Sequence, residues 1–141
     1  MDLSIPLQDT VLYIRVAGLV KTPRGFLFEK SPKGYIYTVG GKVKLNESSH
    51  EAMKREIIEE LGVGANEMTL RSVLENFYTT ATEKVHEICF VYEIDEEFNG
   101  TVPAEFIEVS INEINAYEIK PIQIVDILKS DKNSFKHIIV K

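Results

Sequence analysis

Residues Gly41–Val63 read GKVKLNESSHEAMKREIIEELGV, and the order of charged and apolar positions within them decides the fold. Ser48 followed three residues later by Glu51 is a capping box, in which each residue satisfies a backbone N–H of the other. Gly62 supplies the left-handed residue that commonly ends a helix. The spacing therefore predicts a helix over Ser49–Leu61. Met53, Ile57 and Leu61 recur at helical spacing and form an apolar stripe. Glu56, Glu59 and Glu60 share a second face, roughly 100° around the axis, at the edge of the buried stripe. Three carboxylates at i+3 and i+4 repel one another and weaken an isolated helix. A solvated acidic face explains such a pattern, since glutamate is a good helix former. A hard-cation site explains it too, because magnesium takes oxygen ligands from a few carboxylates, waters and phosphate oxygens.

The residues around the helix favour the second reading. Arg55 directly precedes Glu56, and Glu47 stands eight residues before Arg55. An arginine suits the task of locking a carboxylate bidentately, although a surface ion pair of little value has the same appearance in sequence. Gly40-Gly41 lets backbone approach a ligand closely, or simply makes a turn.

Outward from this segment the chain reads as strands. Leu12, Ile14 and Val16 alternate with Tyr13, Arg15 and Ala17 across Val11–Val20. Thr22-Pro23-Arg24-Gly25 and Ser31-Pro32-Lys33-Gly34 read as turns, with strands at Phe26–Glu29 and Tyr35–Val39, the latter broken by Gly40-Gly41. Leu70–Tyr78 and Val85–Ile94 read as a hairpin joined by a polar turn, Thr79–Lys84. A loop, Asp95–Ala104, leads to a strand at Phe106–Ile111. A second helix is expected near Pro121–Lys129, with Ile122, Val125 and Leu128 at helical spacing, and a last strand at Phe135–Val140. The sum is an α+β chain of one domain, residues 1–141, with no repeat or dividing linker.

Composition narrows the function. The net charge of -6 argues against wrapping a nucleic-acid polymer or an anionic membrane. An acidic chain that handles phosphates makes sense if a divalent cation sits between carboxylates and phosphate. No run approaches the roughly 18 apolar residues of a membrane span, and Met1–Thr10 lacks the features of a secretory signal. A cytoplasmic location is expected. The single cysteine, Cys89, lies in an apolar run and is read as a small buried hydrophobe.

The Gly41–Val63 segment resembles the signature of the Nudix hydrolases, G-x5-E-x7-R-E-U-x-E-E-x-G-U, where U is bulky and apolar. Gly41, Glu47, Arg55, Glu56, Ile57, Glu59, Glu60, Gly62 and Val63 meet its defined positions. With this chain's own residue frequencies, a chance match is on the order of 10⁻⁷. The resemblance implies a Nudix-type α/β/α sandwich, a mixed β-sheet between helices. It implies metal-dependent hydrolysis of a phosphoanhydride bond in a nucleoside diphosphate derivative, of the nucleoside triphosphate, ADP-ribose or dinucleoside polyphosphate class. The cofactor is then Mg2+ or Mn2+, the partner a small nucleotide, and a homodimer is possible. By motif position, Glu56, Glu59 and Glu60 are the expected metal ligands, joined by the Gly40 carbonyl, while Arg55 and Glu47 orient them. Glu56 is a candidate for the base that deprotonates water.

Further residues are expected to contribute from outside the signature. Glu87 is a candidate carboxylate ligand, with Glu97 and Glu105 as alternatives. Arg15, Gly41, Lys42, Phe77 or Tyr78, and His86 are candidates to touch substrate. Cross-strand pairing, core packing or plain exposure is the commoner explanation for Glu87, Arg15, Phe77 or Tyr78, and His86 taken singly. Val39, Lys44 and Asn46 depart from residues frequent in the family. Lys44 removes one possible carboxylate, whereas Asn46 can still adopt the left-handed conformation. Two rival readings remain in the sequence. A catalytically weak nucleotide-binding sensor usually carries a broken signature, and this one is intact. An isoprenoid diphosphate isomerase would need a cysteine before the signature, and there is none.

Overall fold

A computed structural model describes all 141 residues. The strands are β1 (Ser4–Leu7), β2 (Thr10–Thr22), β3 (Gly25–Lys30), β4 (Ile36–Lys42), β5 (Met68–Thr79), β6 (Lys84–Ile94), β7 (Phe106–Val109) and β8 (Lys136–Val140). The helices are α1 (Ser49–Leu61) and α2 (Gln123–Lys129). They form one mixed sheet in the order β7-β3-β4-β2-β6-β5-β8, with β1 also on β2. The β2–β6 and β5–β8 pairs are parallel and the rest antiparallel.

Side chains alternate across a strand, so the long central strands serve two cores. Val16, Val20, Tyr92 and Ile94 pack with Ala52, Met53 and Ile57 of α1. Ala17, Leu19, Cys89 and Val91 pack on the opposite face with Ile124, Val125 and Ile127 of α2. The result is the expected sandwich: helix, mixed sheet, helix.

α1 forms over the expected residues. Glu51 N–H donates to Ser48 Oγ at 3.0 Å and Ser48 N–H to Glu51 Oε2 at 2.9 Å, and Gly62 is left-handed. Other boundaries moved. β4 does not break at Gly40-Gly41 but runs through both, with Gly40 opposite Ala17 and Gly41 opposite Val16. The reason is close approach rather than turning: a Cβ on Gly40 would lie 2.1 Å from Val16 O. α2 starts at Gln123 and buries Ile124, Val125 and Ile127, whereas Ile122 is exposed. The expected Ile122–Val125–Leu128 stripe lies about one residue off the true inner face. β1 was not foreseen, because it is short, contains Pro6 and is largely exposed. Cys89 is a buried free thiol, and burial pushes it up to about 12, so it is an unreactive packing residue.

α2 has only seven residues, too few to persist alone. An irregularity in the β5–β6 register between Leu70 and Ser72 leaves Arg71 unpaired in the ladder, and its side chain turns inward. Its guanidinium meets buried Glu93 and donates to Ile127 O at 2.7 Å and Ser130 Oγ at 2.9 Å, closing the helix C-terminus. Removing one partner of a buried pair strands the other charge. Arg71→Met is expected to lower the unfolding free energy by about 3 kcal/mol, measured by urea denaturation followed by circular dichroism. A loss below about 1 kcal/mol, the range of an exposed pair, would contradict this role.

Candidate active site

The site is built where β4 leaves its neighbour. β3 pairs with β4 only at Ile36–Thr38. Beyond Thr38 the β3 side of β4 is an open edge. Val43 N–H donates to Ile14 O at 2.9 Å. In an antiparallel pair the hydrogen-bonded positions alternate, so Gly41 faces β2 whereas Gly40 and Lys42 turn their N–H and C=O groups outward. The open edge therefore offers two backbone carbonyls to whatever lies beside α1.

Arg55 gathers the edge, the loop and the helix. Its Nε donates to Glu47 Oε2 at 2.7 Å and its Nη2 to Glu47 Oε1 at 2.9 Å. Nη2 also donates to Lys42 O at 3.0 Å. Nη1 reaches Glu56 Oε1 at 2.9 Å and Glu59 Oε2 at 3.3 Å. Glu47 in turn accepts from the Lys44 amide at 3.0 Å, in a loop turned by left-handed Asn46, φ 66°. The Arg55 hydrogen bonds, aided by the Lys44 amide, hold the Glu47 carboxyl at about 2. The same partners raise the guanidinium further.

The three helix carboxylates sit in different surroundings. Glu56 is buried, 8% exposed, and lies against Gly41, where a Cβ would be 2.3 Å from Glu56 Oε1. Glu59 is half exposed. Glu60 points its Oε2 into the protein with no hydrogen-bond partner. Burial, followed by the charges of Glu29 and Glu56, pushes Glu60 up to about 8, and the Gly40 amide only partly offsets this. Glu29, on β3 opposite Tyr37, was not singled out in the sequence. Nothing local marks it; only the strand pairing brings its charge toward Glu60.

The other candidates lie apart from the helix. Glu87 does not join the carboxylates of α1. It shares a face of β6 with Cys89 and Val91, the face that α2 covers, and it accepts from Asn76 Nδ2 at 3.0 Å and from Tyr78 Oη at 3.4 Å. Arg15 Nε lies 3.8 Å from Glu87 Oε2. Lys42 Nζ sits 4.3 Å from the centre of the Tyr13 ring. Phe77 and His86 stack on each other at 4.4 Å, on β5 and β6, away from β4 in the strand order. Glu97 and Glu105 are exposed around the loop before β7. Two shallow depressions of about 310 and 360 Å3 lie among Thr22, Arg24 and Phe98 and among Thr10, Tyr78 and His86, and neither is lined by the α1 carboxylates.

A family model described as NUDIX domain matches residues 8–138. The chain belongs to the Nudix family. Solved structures with the same fold include the Mutator MutT protein of Bacillus halodurans, 19% identical, TM-score 0.68, covering 89% of this chain and 85% of that one. MutT from Methanosarcina mazei Go1 is 23% identical, TM-score 0.64, with 88% and 94% covered. The Ap4A hydrolase of C. elegans is 12% identical, TM-score 0.61, with 84% and 94% covered. No curated protein matches the chain at a significant level. As a Nudix protein the chain is a pyrophosphohydrolase of that family, whose members generally use divalent metal ions. No helix is long and apolar enough to cross a membrane.

The site can be tested for its fit to such an ion. The donors are all hard oxygens, the kind magnesium and manganese take. Glu60 Oε2 is buried without a partner, and Gly41 gives the Glu56 carboxylate room at the strand edge that a Cβ, 2.3 Å from Oε1, would take. No three His, Cys, Asp or Glu side chains converge on one point, so waters and substrate oxygens would complete the shell. On these grounds the residues fit a divalent cation.

A pH dependence follows. The unfolded Glu60 carboxyl titrates near 4.5 and the folded one at about 8. Between these values the native state binds the extra proton, so stability falls as pH rises. The metal-free protein is expected to lose thermal stability from pH 5 to 8, and Glu60→Gln to flatten that slope. Magnesium, which binds the ionised form, is expected to stabilise the wild type more at pH 8 than at pH 6. Identical melting profiles for wild type and variant, without metal, would contradict this assignment.

Proposed function

We propose that this chain hydrolyses a phosphoanhydride bond in a nucleoside diphosphate derivative, using Mg2+ or Mn2+ held by Glu56, Glu59, Glu60 and the Gly40 carbonyl. The observation that carries the reading is the unpartnered, shielded Oε2 of Glu60 beside the open β4 edge. Such a group is expensive to bury, and a cation would satisfy it.

A divalent ion, when bound, neutralises phosphate oxygens and lowers the pKa of water. The protein's own part is positional. Arg55 and Glu47 fix the height of the β4 edge relative to α1, so the Gly40 carbonyl and Glu56 stay in register. Glu56 Oε1 is occupied by Arg55, which suits a fixed ligand better than a proton acceptor. Glu60, raised to about 8 without metal by burial and the charges of Glu29 and Glu56, is held ionised by the cation it binds, so its place is among the ligands. Ap4A, the substrate named for one structurally similar protein, is among the first to try, beside nucleoside triphosphates and ADP-ribose. A cytoplasmic, homodimeric enzyme is consistent with this reading.

The sensor reading makes the opposite forecast about turnover. Phosphate or nucleotide release from a panel of nucleoside diphosphate derivatives is expected only with Mg2+ or Mn2+. Glu59→Gln and Glu60→Gln are each expected to reduce it at least 100-fold with the fold unchanged, on the scale of losing one preorganised electrostatic group. Arg55→Lys keeps the charge but loses the fork and is expected to cost about tenfold. Turnover unchanged in both glutamine variants would reject the assignment, and binding without turnover across the panel would leave the sensor.

A further inference from the structure

Glu29 is a carboxylate on the side of the sheet that α1 covers. Leu27 of β3 packs there with Met53 and Ile57, and side chains two apart on a strand share a face, so Glu29 lies on the same side. Its register partners are Tyr37 on β4 and Phe106 on β7, and Phe106 belongs to the same core. Arg55 is taken by Glu47, Glu56 and Glu59, and no cation pairs with Glu29. A hydroxyl faces it: burial, and then the Glu29 charge, holds the Tyr37 proton more tightly than usual. A carboxylate among apolar neighbours with no cation beside it is costly to keep ionised.

The fold brings this carboxylate to the end of the signature helix. Glu56 lies against Gly41, and one turn later Glu60 reaches the Gly40 amide. α1 therefore advances along β4 toward Val39 and Tyr37, and Glu29 stands one strand spacing, about 5 Å, from Tyr37. After burial, the charge of Glu29 acts on Glu60 most strongly, ahead of Glu56. Tyr37 is within reach of both Glu29 and Glu60. The three meet at the C-terminal turn of α1, where the shielded Oε2 of Glu60 has no partner. The other carboxylates outside the signature do not come here. Glu87 lies on the opposite face, and Glu97 and Glu105 are exposed.

We propose that Glu29 is the carboxylate from outside the signature that joins Glu56, Glu59 and Glu60 around the divalent ion, and that the Tyr37 hydroxyl positions it. The inference rests on the metal-dependent reading above and deepens it by one ligand. Arg55 explains the need. Its hydrogen bonds occupy Glu56 Oε1 and Glu59 Oε2, so two signature carboxylates arrive partly neutralised. A fourth carboxylate restores negative charge, and cation affinity depends on the count of charged ligands. The donor is again a hard oxygen, the kind magnesium and manganese take. No three acidic side chains converge on one point, so waters join Glu29 to the shell where its side chain falls short. β3 lies between β7 and β4. Glu29 therefore comes from a strand paired on both sides, a rigid support that a loop carboxylate lacks.

The test reads metal binding directly, without substrate or turnover. Mn2+ is titrated into the whole protein and the free ion is followed by electron paramagnetic resonance. Glu29→Gln is expected to weaken Mn2+ binding at least tenfold, on the scale of losing a group of the metal shell. Tyr37→Phe is expected to weaken it about threefold, the worth of one hydrogen bond, and Glu105→Gln by less than about twofold. Glu29→Asp keeps the charge but is one methylene shorter, so it is expected to lose nearly as much as Glu29→Gln. Without metal, Glu29→Gln is expected to melt no lower than wild type, because it removes an unpaired charge; a merely structural glutamate would show the reverse. Unchanged Mn2+ affinity in Glu29→Gln, with affinity lost in Glu60→Gln, overturns the Glu29 assignment and sustains the metal reading. Full affinity in Glu29→Asp also overturns it, since charge alone would then suffice. A wild type that binds no Mn2+ rejects the proposed function itself.

Discussion

Arg55 is the interaction on which the rest of the site depends. One guanidinium joins the loop through Glu47, the sheet through the Lys42 carbonyl and the helix through Glu56 and Glu59. Without it, α1 would carry three carboxylates on one face with nothing to oppose their repulsion. Each side chain alone would be poorly placed: Glu47 ends a loop, and the β4 edge has lost its β3 neighbour. The planar fork fits a carboxylate in two contacts and still has a nitrogen for the carbonyl, which a lysine ammonium cannot match. The pair is partly shielded, so its worth is orientation more than stability.

The second constraint is geometric. β4 passes from pairing with β3 at Ile36–Thr38 to pairing with β2 at Val39–Lys42, and this passage creates the site. The two glycines are needed there because β2 on one side and Glu56 on the other leave no volume for a Cβ. Alternation of the ladder then decides which carbonyls are free. Gly40 and Lys42 face outward, one toward Glu60 and one toward Arg55. The same alternation places the side chain of Lys42 on the far face, above Tyr13.

The parts of this arrangement that were legible in sequence are local ones. α1 was readable to the residue because its N-cap, capping box and left-handed terminator are all set within the segment. The hairpin of β5 and β6 was readable because both strands alternate and a polar turn joins them. The double glycine was misread because close packing and turning use the same residue. The inner face of α2 was misread because apolar residues Ile122, Ile124, Val125, Ile127 and Leu128 surround most of it, and only contact with the sheet selects among them. Glu87 was drawn toward the metal by its chemistry. Its phase with Cys89 and Val91 carried the correct face, but which helix covers which face is a property of the fold. Glu29 and Asn76 had no local signal at all; they matter only through residues on neighbouring strands.

The two faces of the sheet separate structural from functional burial of charge. Glu93 and Glu60 are both glutamates shielded by the fold. Around Glu93 the protein supplies cations: Arg71 directly, with Lys21 and Lys132 at 3.7 and 3.5 Å. That carboxylate is compensated within the chain, and its job is finished when α2 is closed. Around Glu60 the protein supplies more negative charge, from Glu29 and Glu56, and spends its one nearby arginine on Glu47, Glu56 and Glu59. A fold that can build a compensated acidic site on one face and leaves the other uncompensated has left a charge to be met from outside. The acidic oxygens face an open strand edge, an arrangement that suits a small cation tolerant of water and phosphate oxygens, and that a proton on Glu60 meets in the metal-free protein. That fit follows from where the positive charges were not placed, and it is independent of the signature by which the family is recognised.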